Sequence, residues 1–283
     1  MISIIITSYK EERTISRAIK AFQSQNFKNC EIIVVAPDEK TLKQAKKHNA
    51  KTLKDPGQGK PTALNLTIKK AKGNILILTD GDVYVSDNSV KDLIKHFKDK
   101  EVGAVSSRPV ILRTKSKMFD FWAYLTTQTK KKKRLNHIKF CSEYIYAIRK
   151  NLYKNIPKNI LADDAFISLM ISNQNKKIIY EPKAEVYVKY PSNLRDWIRQ
   201  KKRTAGKYYQ LNKYFKQKKS TEFLSEVKYG LTSLFYIKNF QHLAYFIFLI
   251  IMRLYIWFRV FFDIKLWKRE FKKTWLRPVS TKN

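Results

Sequence analysis

Two cysteines, Cys30 and Cys141, are all the chain has in 283 residues, which excludes a disulfide scaffold. Neither sits in a metal-type spacing, so both are expected to be reduced, buried thiols of a cytosolic domain. Glycine is scarce at seven residues, while Lys, Ile, Asn, Tyr and Phe are common; part of that bias reads as coding preference. Acids are few: 23 Asp and Glu stand against 58 Lys and Arg, a net charge of +35. So positive a field favours polyanions, whether nucleic acid, an anionic membrane or phosphorylated substrates. No signal peptide is expected, because Met1 runs straight into a short apolar strand pattern and then charge at Lys10. No internal repeat is visible. A single long apolar run argues against a processive enzyme with its own channel, since one segment cannot form a pore.

What is present begins with short apolar runs at Ile2 to Ile6, Ile32 to Val35 and Ile75 to Leu78. Each is too short for a helix and has the β-branched or leucine-rich character of a strand buried on both faces. Between them Ile15, Ala18, Ile19 and Phe22 share one helical face, and Leu64, Ile68 and Ala71 another. Strand alternating with helix predicts a parallel sheet with right-handed crossovers. Val102 to Ser106 predicts a further strand. The alternation breaks near Lys115, and a helical stretch leads to the basic run Lys130 to Arg134. Glu143 to Ile148 predicts a strand, Asp163 to Ser172 a helix with Phe166, Leu169 and Met170 inward, and Lys177 to Tyr180 and Ala184 to Val188 two short strands. After Pro191 the pattern is helical and basic.

In open parallel sheets ligands bind at the carboxyl ends of the strands. Thr7-Ser8-Tyr9-Lys10-Glu11-Glu12 comes after the first strand, Ala36-Pro37-Asp38-Glu39 after the second and Thr79-Asp80-Gly81-Asp82 after the third. Acids thus gather on one rim of a strongly basic protein. Asp80 and Asp82 can share a hard divalent cation, Mg²⁺ or Mn²⁺, that completes its shell with phosphate and water. Alone, Asp-Gly-Asp is also a good turn. Asp55-Pro56-Gly57-Gln58-Gly59-Lys60-Pro61 is a glycine loop entering a helix and presents backbone N–H groups and a lysine to an anion. It lacks the spacing of a Walker A loop.

Together these elements resemble the family 2 glycosyltransferases. Thr7 to Glu12 is similar to the opening Tyr-Asn-Glu-Glu element, with Lys10 for the asparagine. Gly59-Lys60 through Ala63-Leu64-Asn65 is similar to the Gly-Lys…Ala-Leu-Asn segment, and Asp80-Gly81-Asp82 to the Asp-x-Asp metal motif. Leu161-Ala162-Asp163-Asp164-Ala165 resembles the Glu-Asp element, and Gln200-Lys201-Lys202-Arg203 the Gln-x-x-Arg-Trp element of the synthase-like branch. Thr204 stands in place of that tryptophan. The resemblance covers about residues 1–210. It implies a GT-A fold, Rossmann-like and mostly parallel, with a basic and apolar helical extension over 211–283. It also implies metal-dependent, inverting sugar transfer from a nucleoside-diphosphate sugar, probed first with UDP. Asp164 is the implied general base. Thr7, Tyr9, Glu11, Asp38, Lys60 and Asp80 are the implied donor contacts, with Asp38 at the base or ribose. Asp163, Gln200 and Arg203 are implied at the acceptor or diphosphate, and Asp80 and Asp82 at Mn²⁺ or Mg²⁺. The acceptor is a glycan hydroxyl or a lipid phosphate. Two alternatives from the residues themselves are a helix cap at Asp163-Asp164 and a solvated basic helix around Gln200 and Arg203.

Leu243 to Phe262 is apolar except for Arg253 and Arg259 and has the roughly 20 residues that a bilayer crossing needs. Asn239, His242 and Arg253 share one helical face with Phe246 and Leu249. Lys228 and Lys238 precede the run; Lys265, Lys268, Arg269, Lys272 and Lys273 lie beyond it, so the positive-inside rule gives no orientation. A shallow or re-entrant helix on the cytoplasmic face of an anionic membrane resolves that conflict; a single span and a soluble core or dimer helix are the alternatives. Nucleic-acid binding through Lys130 to Arg134 and Lys216 to Lys219 is the competing function, and it leaves the acids at the strand ends unexplained.

Overall fold

The computed structural model describes residues 1–136, 140–141, 144–215 and 230–263, with the side chains of 132–136, 207–209 and 212 excepted. Glu143, Lys216 to Lys219, Lys228 and the basic residues from Lys265 to Lys273 lie outside these residues, as do the side chains of Lys132 to Arg134. The chain packs as two compact units, 1–110 with 138–188, and 111–137 with 189–283.

The first unit holds one eight-stranded sheet in the order β3-β2-β1-β4-β7-β6-β8-β5. Its parallel half is β1 (Ile2–Thr7), β2 (Cys30–Ala36), β3 (Lys51–Lys54) and β4 (Ile75–Asp80). Helices α1 (Ile15–Gln23), α2 (Glu39–Lys46) and α3 (Lys60–Lys70) make the crossovers. The expected faces are the buried ones: Ile15, Ala18, Ile19 and Phe22 of α1, and Leu64 and Ile68 of α3. Ile4, Ile5, Ile6, Val34, Val35, Leu76, Ile77 and Leu78 are almost fully enclosed, as helices on both faces require. The GT-A-like sheet with flanking helices that the motifs implied is therefore present.

The second half of the sheet is antiparallel where its pairing is defined. β7 (Ile145–Arg149) runs against both β4 and β6 (Val102–Leu112), and β5 (Tyr84–Val85) against β8 (Lys177–Lys189). The two short strands expected over 177–188 are one continuous strand, a correction to the sequence reading. Pro182 lies between the two expected segments, and its fixed φ suits extended backbone, so the strand runs through it. Glu181 is held there by Lys95 and His96, at 2.8 and 2.7 Å. Helices α4 (Ser89–Ile94) and α6 (Asp163–Ser172) complete the unit, and Phe166, Leu169 and Met170 are buried as expected. Cys141 is buried and Cys30 half-buried, and both are free thiols. Burial, with Glu31 adding to it, pushes the Cys30 thiol up to about 11, so it stays protonated.

The second unit is helical, with α5 (Lys117–Asn136), α7 (Leu194–Tyr214) and α8 (Phe240–Phe261). Its core is aromatic. Trp122 and Trp197 are fully enclosed with ring centroids 4.7 Å apart, and Trp197 donates to the Tyr190 hydroxyl at 3.1 Å. Phe246, Ile256 and Val260 of α8 pack into the same cluster.

Candidate active site

Register places the site. Thr7 lies opposite Val35 on one side and Asp80 on the other, so β1, β2 and β4 end level. The segments after them, at Ser8, Pro37 and Gly81, therefore emerge along one rim, where the sequence placed the acids. The Thr7 hydroxyl donates to Asp80 Oδ1 at 2.8 Å, and Gly81 N–H to the Thr7 carbonyl at 3.1 Å. Gly81 is needed for space. A Cβ there would stand 2.2 Å from Ser8 Oγ and 2.3 Å from Glu11 Oε2. The neighbours that forbid a side chain are thus protein atoms.

Lys60 is the convergence point. Gly57 and Gly59 hold positive φ of 70° and 107°, Gly59 caps α3, and Pro61 opens the helix. That turn delivers Lys60 Nζ to 2.8 Å from Asp80 Oδ1 and 3.3 Å from Asp163 Oδ2. Burial disfavours its charge, but the carboxylates of Asp163, Asp80 and Asp164 outweigh burial and hold the ammonium protonated well above its ordinary range. Three motifs far apart in sequence therefore meet at one ammonium.

Asp163 and Asp164 open α6, where the helix dipole favours acids, and both are buried, at 7% and 5% exposure. The N-cap is Ala162, which makes no side-chain cap, so Asp163 is not the helix cap that its sequence also allowed. Ser168 ties this turn down by donating to the Asp164 carbonyl at 2.6 Å and accepting from Cys141 N at 2.9 Å. Asn65, in the Ala-Leu-Asn segment, is a clamp. It accepts from Tyr153 Oη at 2.6 Å and Ile156 N at 2.9 Å, and donates to the Ile156 carbonyl at 2.7 Å. It fixes the chain leading to Asp163 to the helix that carries Lys60.

Sequence reasoning missed Tyr146, on β7. Its side chain is fully buried, and burial, then the charges of Asp163 and Asp164, push its phenol well up, so a neutral O–H lies beside the acids. The available signal was weak: one Tyr alternating inward on a short strand.

Asp38 is structurally committed. Its Oδ1 caps α2 by accepting from Thr41 N at 2.9 Å, and its Oδ2 accepts from Lys10 N at 2.8 Å. Burial raises its pKa, but these hydrogen bonds outweigh burial and hold it below the usual carboxylate value. Asp38→Ala is expected to cost about 1–2 kcal/mol, a cap loss, in urea unfolding. Because the Lys10 tie goes too, nucleotide affinity should fall with it. An unchanged urea midpoint would show that neither bond matters in solution. Glu11 is buried and Tyr9 exposed, both on the same β1–α1 segment. Gln200 and Arg203 lie on α7, in the second unit, where Thr204 donates to the Gln200 carbonyl at 3.1 Å.

With this geometry, comparison with known proteins is decisive. Residues 3–156 match the family described as Glycosyl transferase family 2, more than half of the chain. The chain belongs to that family. This glycosyltransferase carries the GT-A fold of its solved neighbours. One is glucosyl-3-phosphoglycerate synthase from Mycobacterium tuberculosis in complex with Mn²⁺, UDP and glucosyl-3-phosphoglycerate. It is 14% identical at a TM-score of 0.53, with 78% of this chain and 81% of that chain covered. Another is S. aureus TarS 1-349 in complex with UDP-GlcNAc, 16% identical at a TM-score of 0.51, covering 73% and 66%. A comparison with curated proteins found no match.

Proposed function

We propose that this glycosyltransferase moves a sugar from a nucleoside-diphosphate donor, first choice UDP, to a glycan hydroxyl or lipid-phosphate acceptor, with inversion. The observation that carries this is the junction at Lys60, which bridges the strand-end acid Asp80 and the helix-start acid Asp163. Sugar transfer needs positive charge at a departing diphosphate and a base at the acceptor hydroxyl. Lys60 supplies the first. Asp164, buried and one residue from the ion pair, is the base in this reading, which its burial beside Asp163 supports. Thr7, Tyr9 and Glu11 line the donor side, with Asp38 shaping the loop that holds the base or ribose. Gln200 and Arg203 serve the acceptor or diphosphate. The catalytic part is assigned to 1–210 and membrane contact to 211–283, with the enzyme working at the cytoplasmic face of an anionic membrane.

A divalent ion fits the donor set. Asp80 and Asp82 offer hard carboxylate oxygens at the β4 end, and Mn²⁺ accompanies UDP in the mycobacterial neighbour. Among the described residues no three metal-binding side chains cluster. The rest of the shell would therefore be diphosphate oxygen and water. When bound, the ion would act as a Lewis acid on the diphosphate. UDP affinity by calorimetry should accordingly fall at least about tenfold in EDTA, and Asp82→Ala should abolish the metal dependence; equal affinity with and without EDTA would remove the ion from the proposal. A screen of nucleotide sugars for transfer or slow hydrolysis tests the reaction itself, and no turnover of any of them would overturn it.

A further inference from the structure

Helix α8 is amphipathic the wrong way round for a protein in water. Its outward residues are apolar: Leu243, Ile247, Ile250, Leu254, Phe258 and Phe261 are all exposed. Gln241 and Tyr255 are exposed as well, but the ring of His242 and the charged groups Arg253 and Asp263 are turned into their own unit. His242 stacks on Phe121 at 4.3 Å, Arg253 Nε is buried, and Asp263, just past the helix, pairs with Lys202 at 2.7 Å. In its second turn, Trp122 Nε1 donates to the Tyr245 carbonyl at 2.8 Å, and Phe246, Ile256 and Val260 enter the Trp122–Trp197 core. Phe235 and Phe240, each 85% exposed, extend the apolar surface at its start.

We propose that α8 lies in the plane of an anionic bilayer, its outward apolar face sunk among the acyl chains, and does not cross it. This deepens the membrane placement proposed above and rests on it. At 1.5 Å per residue the 22 residues span about 33 Å, so length alone allows a crossing. Packing does not. The helix is fastened to α5 and α7 in its first two turns and again toward its end, and a crossing would carry Arg195, Arg199, Lys201 and Lys202 of α7 into hydrocarbon. An in-plane helix needs only its outward face to leave water.

Charge chooses the occupant. The acids among the described residues of this unit are Asp120, Asp196 and Asp263, and each is engaged inside it. Asp120 accepts from Thr114 N at 2.6 Å, Asp196 pairs with Arg199 at 3.0 Å, and Asp263 with Lys202. The surface charge left over is positive, which anionic headgroups attract. A second copy, also at +35, would be repelled.

The test uses the full chain with sealed vesicles of phosphatidylglycerol and phosphatidylcholine. In a Cys30→Ser, Cys141→Ser background, single probes Gln241→Cys and Arg259→Cys mark the two ends of α8. A membrane-impermeant maleimide added outside should label both. Ile247→Lys with Leu254→Lys should lose at least tenfold in vesicle flotation, with melting temperature and UDP affinity unchanged. One end protected until detergent is added would show a span and overturn the in-plane helix. Flotation that survives the double substitution would overturn the inference while leaving the membrane placement standing. A full chain that ignores vesicles overturns both. If it then sediments as a dimer that the lysines dissociate, the face belongs to a second copy.

Discussion

Asp164→Asn should lower turnover by about 10²–10⁴ while UDP affinity and melting temperature stay near wild type. The amide keeps the volume of the carboxylate and most of its hydrogen bonding but cannot take a proton from an acceptor hydroxyl. Only interactions that strengthen toward the transition state change turnover, so the loss should fall on kcat and spare donor binding. The neighbouring acid provides the contrast. Asp163 stands 3.3 Å from Lys60, so Asp163→Asn removes one of the two carboxylates paired with that ammonium. Its effect should appear in donor affinity and stability, through Lys60, with a smaller loss in kcat. A split of the two variants into kcat and KM, with melting curves, separates the roles. If Asp163→Asn abolishes turnover with unchanged KM while Asp164→Asn is near normal, the base is one residue earlier.

The parallel half of the fold was legible because its strands are buried on both faces and its helices are amphipathic in the ordinary sense. Periodicity reports both directly. The strand-end acids were legible for the same reason: once β1, β2 and β4 are known, the loops leaving their carboxyl ends must lie on one rim. Lys51–Lys54 was not legible as a strand, since its four residues, Lys-Thr-Leu-Lys, have too little apolar character to mark an edge strand. Tyr84–Val85 is too short to carry a period. Antiparallel insertion of β7 beside β4 is a long-range pairing that no local pattern encodes. At the site, residue types were visible but commitments were not. Asp38 was legible as an acid at the β2 end, but its capping of α2 and its tie to Lys10 N were not. Asn65 looked like part of a ligand motif and clamps the chain before Asp163. In α8 the periodicity showed a polar face shared with Phe246 and Leu249. That this face is turned into the protein depends on the aromatic core around Trp122 and Trp197, assembled from segments some 75 residues apart.

Lys60→Met should be the most disruptive single change at the site, in both stability and chemistry. The substitution keeps an unbranched chain of similar length and deletes the charge. It leaves Asp80 and Asp163 without the ammonium that lies within 3.3 Å of both, beside the further charge of Asp164. Removing one partner of a fully buried ion pair costs about 3–5 kcal/mol, because the other charge stays desolvated. Here the lysine side chain is 25% exposed and Asp80 31% exposed, so water recovers part of that, and about 2–3 kcal/mol is expected in urea unfolding. Losing a preorganised cation at a developing diphosphate should separately lower kcat/KM by about 10²–10³. The linkage sign fixes where to measure. The folded lysine pKa is raised above its unfolded value, so the wild-type contribution is fully present below about pH 10.5 and is lost only as pH rises through the folded pKa. The wild-type and Lys60→Met stabilities should therefore differ by a constant amount through neutral pH and converge only in strong alkali. Lys60→Arg retains charge but brings a planar fork to a turn fitted to a single ammonium, so it should recover stability better than turnover. A Lys60→Met enzyme with the wild-type urea midpoint and kcat/KM would mean that the ion pair joining the three motifs contributes nothing in solution, and with it would go the observation on which the proposed chemistry stands.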